Sequence, residues 1–161
     1  MMRLIKILLA AFVALFCVFY AVQNIVNLQA AHGFVAYVAS MADHGAYPAH
    51  FGPAITAPVL TWTMLWIIIA LEMGAGLLAA KGAYDMLKAR NASAEDFNAA
   101  KSYAMAGCGV AMIVWFGLFS AIAGTYFQMW QTDAGLNALR DASMFSIQNG
   151  MVLLVLALKD E

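Results

Sequence analysis

The sequence predicts an all-α membrane protein, a bundle of four transmembrane helices. Hydrophobic residues make up 65% of the 161 residues and charged residues 11%, whereas soluble domains have roughly 45–50% apolar and 25% charged residues. The chain also contains four long apolar segments, and a membrane span needs about 20 such residues. We therefore expect residues 1–161 to form a single integral membrane domain.

The four predicted spans cover residues 4–22, 58–80, 104–126 and 142–158. The second span opens with Pro58, which suits the first turn of a helix because its missing N–H has no intrahelical partner there. Ser93 and Asp96 have the spacing of a capping box, so the helix of the third span should begin near Ala94, before the membrane. The fourth span is short and polar in its first half, which is typical of a span partly buried in protein.

Basic residues predict the orientation of the bundle. If all four segments cross, both termini and the loop between the second and third spans share one side. That side holds seven of the eight basic residues, namely Arg3, Lys6, Lys81, Lys88, Arg90, Lys101 and Lys159. Lysine and arginine accumulate on the cytoplasmic side of membrane proteins, so both termini should be cytoplasmic.

The loop over residues 23–57 is too long for a simple turn. Between Leu28 and Met41 its apolar residues recur at helical spacing, which predicts a short helix lying at the membrane surface. The three histidines of the chain fall in this loop, and we interpret them as solvated loop residues rather than metal ligands, because their spacing matches no metal site. They are His32, His44 and His50.

Glu72 is the one acidic residue inside a predicted span. Counting from Lys81 places it roughly 13 Å from the inner boundary. A charged carboxylate near mid-bilayer costs about 2.5 kcal/mol or more, so Glu72 should face the bundle or a cavity. Gln148 and Asn149 lie at nearly the same depth, and the three residues are predicted to form an intramembrane polar cluster. Three interpretations stay open: a clasp that fixes helix register, a proton or substrate site, and a contact to a partner subunit.

Small residues at four-residue spacing predict close packing between helices. The glycine candidates for this role are Gly74, Gly76, Gly107, Gly109, Gly117 and Gly124.

No motif indicates catalysis. The chain has no phosphate-binding loop, dinucleotide fingerprint, nucleophile elbow or zinc-protease helix, and no histidine lies in a span to hold a haem. Acidic and basic residues nearly cancel, giving a net charge of −1. We therefore expect no enzyme activity, no catalytic residue, no metal or other cofactor, and no nucleic-acid partner.

Two motifs give the chain a resemblance to a known family. FGPAITAPVLTW begins at Phe51, and WFGLF at Trp115 is followed by YFQMWQT at Tyr126. These motifs resemble the bacterial family catalogued as predicted small integral membrane proteins of unknown function. The resemblance implies a four-span protein of the bacterial inner membrane and brings no established activity. The candidate positions that it marks are Gly52, Pro53, Trp62, Glu72, Trp115, Gln128, Trp130 and Gln131.

Two functions from different classes fit these observations. The first is an accessory or assembly subunit that packs in the bilayer against a larger membrane complex, for example a respiratory one, or against a second copy of itself as a homodimer. Its candidate contact residues on the outer face are Trp62, Phe127, Gln128, Trp130 and Gln131. The alternative is a small proton-coupled carrier or channel-like protein that uses Glu72.

Overall fold

A computed structural model describes all 161 residues, and every regular element in it is helical. The α-helices are α1 (Met2–Val26), α2 (Leu28–Ser40), α3 (Pro58–Lys88), α4 (Ala94–Ala100), α5 (Ser102–Met112) and α6 (Asp133–Ala157). A π-helix, Ile113–Tyr126, continues α5, and a 3₁₀ turn, Met129–Gln131, leads into α6.

Three helical segments are long and apolar enough to cross a membrane. They are Met2–Val26, Pro58–Lys88 and the run Ala94–Tyr126, which joins α4, α5 and the π-helix. The first three predicted spans lie within these segments. The fourth predicted span, residues 142–158, falls on α6 except for its last residue. This helix begins well before residue 142 and is not among the segments apolar enough to cross a membrane.

Local sequence explains where the long helices begin. Pro58 occupies the first turn of α3, as expected. Ser93 caps α4: its Oγ accepts a hydrogen bond from the Asp96 backbone N–H at 3.1 Å and donates one to the Asp96 carboxylate at 2.7 Å. The predicted helix start near Ala94 is confirmed, and residues 89–93 form a tight turn between α3 and α4.

The helices approach closely because small residues line their contacts. An added Cβ on Gly76 of α3 would lie 3.0 Å from the Ala14 carbonyl oxygen of α1, and one on Gly107 of α5 would lie 2.7 Å from the Ala75 carbonyl oxygen of α3. Alanines fill much of the core between these helices, including Ala79, which is fully buried. Dispersion contacts between backbones therefore hold α3 between α1 and α5.

Both termini lie at one end of the molecule, beside the turn 89–93. Arg3 donates hydrogen bonds to the carbonyl oxygens of Arg90 and Ala92 at 3.1 and 2.7 Å. Lys6 donates to Asp160 at 2.6 Å, and Asp160 is also paired with Lys101. We call this the terminal end and the opposite one the loop end.

A buried polar network lies at that end, and we call it the terminal clamp. It consists of Lys6, Asn98, Lys101 and Asp160. The Lys6 and Lys101 side chains are 2% and 3% exposed, and both donate to the Leu158 carbonyl oxygen. Asn98 exchanges two 3.0 Å hydrogen bonds with the Asp160 backbone. Burial by itself raises the pKa of Asp160, but the hydrogen bonds from Lys101 and Lys6 outweigh it and hold that pKa below its ordinary 3.8.

Candidate functional site

Glu72 lies midway along α3 and is 1% exposed. Its carboxylate Oε2 accepts a hydrogen bond from Asn24 Nδ2 at 2.9 Å. Asn24 is available because α1 continues to Val26, past the predicted end of the first span at residue 22. The bond joins α1 to α3, which is the geometry of a polar clasp between two helices.

Gln148 and Asn149, the other two members of the predicted polar cluster, make no hydrogen bond with Glu72. Gln148 is exposed, and Asn149 donates from Nδ2 to the Phe145 carbonyl oxygen of its own helix at 2.8 Å. Both line a groove of about 490 Å³ between α1 and α6. Equal depth along two helices therefore does not bring these side chains onto facing surfaces.

At the loop end, residues 46–53 and 126–131 pack together, and we call this unit the loop platform. Gln131 holds the two segments together. Its Oε1 accepts hydrogen bonds from the backbone N–H groups of Ala46 and Tyr47 at 3.0 and 2.7 Å, and its Nε2 donates to the Tyr47 carbonyl oxygen at 3.2 Å. Gln128 turns the chain with a left-handed φ of 47° and accepts a hydrogen bond from Gln131.

Tyr126 forms a second joint of the loop platform. Its hydroxyl donates to the Pro53 carbonyl oxygen at 3.0 Å, and its ring meets Phe51 edge-on at 5.0 Å. Gly52 lies directly against this ring, since an added Cβ would lie 2.4 Å from the Tyr126 hydroxyl oxygen. The motif that begins at Phe51 and the motif that begins at Tyr126 are thus two halves of one structure.

The platform buries one of the predicted contact residues and leaves others half-buried. Phe127 is 4% exposed and belongs to a small apolar cluster with Val38 of α2. Trp130 is half-buried, with its ring edge-on to Tyr47 at 5.3 Å. The large aromatic side chains that face outward are Phe51, 82% exposed, and Tyr47, 61% exposed. Neither is among the outer-face contact residues predicted from the sequence, although Phe51 opens the first motif.

Trp62, another predicted outer-face residue, packs against α2 and is only partly exposed to solvent. Its indole stacks on the His32 imidazole with ring centroids 3.9 Å apart and an interplanar angle of 5°. His32 also lies 2.9 Å from the Thr61 hydroxyl. The interpretation of His32 as a solvated loop residue is therefore wrong, because α2 carries it against the start of α3.

His44 and His50 pack edge-on at 5.3 Å in the loop that follows α2. Both are half-buried. Burial and the neighbouring His50 imidazole lower the pKa of His44 below its ordinary 6.5. No group of three or more His, Cys, Asp or Glu side chains is arranged to hold a metal ion.

The six predicted packing glycines separate into two groups. Gly76 and Gly107 meet neighbouring helices, and an added Cβ on Gly124 would lie 3.1 Å from Leu139 of α6. Gly117 has only Ile113 of its own helix nearby, and no atom lies within 4 Å of an added Cβ on Gly74 or Gly109. These last glycines leave open backbone surface on α3 and α5.

The all-helical fold and the three apolar segments agree with a family model that matches residues 2–159, that of DUF2165, described as a predicted small integral membrane protein. The chain belongs to the DUF2165 family. No curated protein and no solved structure matches it.

The DUF2165 description gives a membrane location and no activity. The roles of the remaining motif residues must therefore be inferred from their positions in the structure. Trp115 is 2% exposed and packs among the rings of Phe16, Tyr20 and Phe145, with centroids 4.9 to 5.9 Å away. It joins the π-helix to α1 and α6. In this DUF2165 chain Trp115 therefore supports the helix packing, whereas the residues around Phe51 form a surface.

Proposed function

We propose that this protein is a non-catalytic accessory or assembly subunit that docks on a larger membrane complex through its loop platform. One observation carries the proposal: two segments more than 70 residues apart in sequence are fixed together by Gln131 and Tyr126, and they hold Phe51 and Tyr47 outward. Aromatic side chains are enriched in protein interfaces and among the residues that contribute most to binding.

The rigidity of the platform favours a docking role. An exposed loop that becomes ordered only on binding loses affinity through the entropy of ordering. Here the backbone at Ala46 and Tyr47 is already bonded to Gln131, and the Pro53 carbonyl is bonded to Tyr126. Phe51 is therefore presented in a defined position before any partner arrives.

The membrane setting of this proposal is the bacterial inner membrane. In this setting the chain forms a four-span bundle with both termini in the cytoplasm. The four spans are α1, α3, the run from α4 through the π-helix, and α6. The excess of basic residues at the terminal end supports this orientation. The loop platform then lies on the outer side, with α2 near the membrane surface, and Gly74 and Gly109 offer small-residue faces to a neighbouring helix.

The test is to solubilise native membranes in a mild detergent, recover the protein through a C-terminal tag and quantify what co-purifies by mass spectrometry. We expect a stoichiometric membrane complex whose recovery falls strongly in Phe51→Ala. Phe116→Ala is the matched control, because Phe116 is also a highly exposed phenylalanine, 59%, but lies on the π-helix away from the platform. Equal recovery with both variants, or a wild-type protein that purifies alone, would overturn the proposal.

The second candidate is a proton-coupled carrier, and the buried carboxyl of Glu72 is the observation that favours it. Asn24 already occupies one oxygen of this group, and Glu72 lines neither the groove between α1 and α6 nor the apolar cavity between α2, α3 and the π-helix. Flux measurements in proteoliposomes across a pH gradient test it. The carrier hypothesis requires transport by the wild type that Glu72→Gln abolishes.

A further inference from the structure

An apolar cavity of about 190 Å³ lies between α2, α3 and the second half of the π-helix. All twelve residues that line it are hydrophobic. They include Phe34 and Val38 of α2, Met64 of α3, and Leu118 and Ala123 of the π-helix. The cavity is separate from the exposed face of the loop platform and from Glu72.

The cavity is closed toward the loop end and open sideways. Val38 of α2 is buried and lines it on that side together with Phe127 and Met129, which are buried residues of the loop platform. Ile67 and Ile122 also line it, yet they are 48% and 47% exposed, so the cavity reaches the surface between α3 and the π-helix. Ile67 lies nine residues into the spanning helix α3, or about 14 Å from its start at 1.5 Å per residue. The opening therefore meets the hydrocarbon of the bilayer.

Water is a poor occupant of this space. A buried water needs two to four polar partners, and an engineered apolar cavity of about 150 Å³ in another protein stays dry and accepts benzene. An empty space is also unfavourable, because the atoms that line it lose dispersion contacts. A cavity of this kind with a lateral opening to lipid is best filled by an apolar molecule that enters from the membrane.

We propose that this cavity is a binding site for one hydrocarbon chain of a membrane lipid, inserted sideways between Ile67 and Ile122. The π-helix contributes Leu118 and Ile122, among other residues, to the lining of the site. Segments of π-helix are rare and frequently occur at functional sites.

Photo-crosslinking tests the site. The full-length protein is reconstituted in vesicles of phosphatidylethanolamine and phosphatidylglycerol that contain a small fraction of a phospholipid with a diazirine in one acyl chain, and the labelled peptides are mapped by mass spectrometry. We expect labels to concentrate on Met64 and Leu118 and their neighbours in the cavity wall. Ala123→Phe, which fills the cavity, should reduce this labelling several-fold.

Ala121→Phe is the matched control, because Ala121 is on the same π-helix but is exposed and outside the cavity. It should leave the labelling at wild-type level. If Ala123→Phe proves unstable, Phe34→Ala provides an opposite test, since a larger cavity should be labelled at least as strongly as the wild type. Labels spread evenly over the exposed residues of all helices would overturn the proposal, as would cavity labelling that Ala123→Phe leaves unchanged. A partner side chain found in the cavity of a co-purified complex would overturn it too.

Discussion

Replacing Gly107 by alanine tests the close approach of α5 to α3. The added Cβ would lie 2.6 Å from the Ala79 backbone nitrogen and 2.7 Å from the Ala75 carbonyl oxygen. Ordinary contact begins at 3.4 Å, so the shortfall is about 0.8 Å. Both atoms belong to the α3 backbone and cannot rotate away, so the two helices must move apart. Overpacking of this kind typically costs about 1–3 kcal/mol.

Gly109→Ala is the matched control for this prediction. Gly109 is two residues along the same helix, and an added Cβ there has no atom within 4 Å. Its effect on the free energy of unfolding should stay within about 0.5 kcal/mol. The assay is a titration of the purified protein in mild detergent with SDS, followed by tryptophan fluorescence, which reports on the buried Trp115. Equal stabilities for the two variants would refute the packing that the structure shows.

Two further interactions can be tested by the same titration. Asn24→Leu should destabilise the protein by about 1–3 kcal/mol, because it removes the hydrogen-bond donor of a buried carboxyl. Glu72→Gln keeps an oxygen that can accept from Asn24 and should therefore cost less. A larger loss of stability for Glu72→Gln than for Asn24→Leu would contradict the polar clasp between α1 and α3. The low pKa of Asp160 means that its contribution to stability is complete above about pH 3.8 and is lost as the pH falls through the lower pKa of the folded protein. The unfolding free energy should therefore fall as the pH drops below about 3.8, and Asp160→Asn should be less stable at about pH 5 and lose less below pH 3.8.

The starts of α3 and α4 were predictable because they depend on neighbouring residues alone, whereas α6 begins at Asp133, before the predicted residue 142. Pro58 fits a first turn by its fixed φ, and Ser93 with Asp96 satisfies the free N–H groups of a helix start within one turn. These features need no knowledge of which faces of the helices meet.

The partner of Glu72 was not predictable by counting residues. Depth along a helix follows from 1.5 Å per residue, which placed Gln148 and Asn149 level with Glu72. Direction around the helix axis depends on how the helices rotate against one another, and the sequence pattern did not determine this. Asn24 was also outside the predicted first span, because the hydrophobic segment ends before α1 does.

The π-helix and the cavity beside it were beyond sequence reasoning for a related reason. The segment Ile113–Tyr126 is apolar nearly throughout, so no alternation of polar and apolar residues distinguishes five-residue from four-residue hydrogen bonding. The hydrogen bond from the Phe127 N–H to the Ile122 carbonyl oxygen, five residues back, belongs to this wider winding. The space lined by Leu118 and Ala123 therefore becomes visible only in three dimensions.

Polar networks connect neighbouring segments at both ends of this protein. Their arrangement helps to distinguish a rigid subunit from a carrier. At the terminal end, the terminal clamp ties α1, the start of α5 and the chain after α6 through buried lysines. At the loop end, Gln131 and Tyr126 tie the two connecting segments together. Alternating access requires groups of helices to rock so that each end opens in turn. Here such motion would break the hydrogen bonds of the terminal clamp, where a buried group that loses its partner costs about 1–3 kcal/mol, and also the more exposed hydrogen bonds that join the loop platform. A chain fastened in this way suits a rigid subunit better than a carrier.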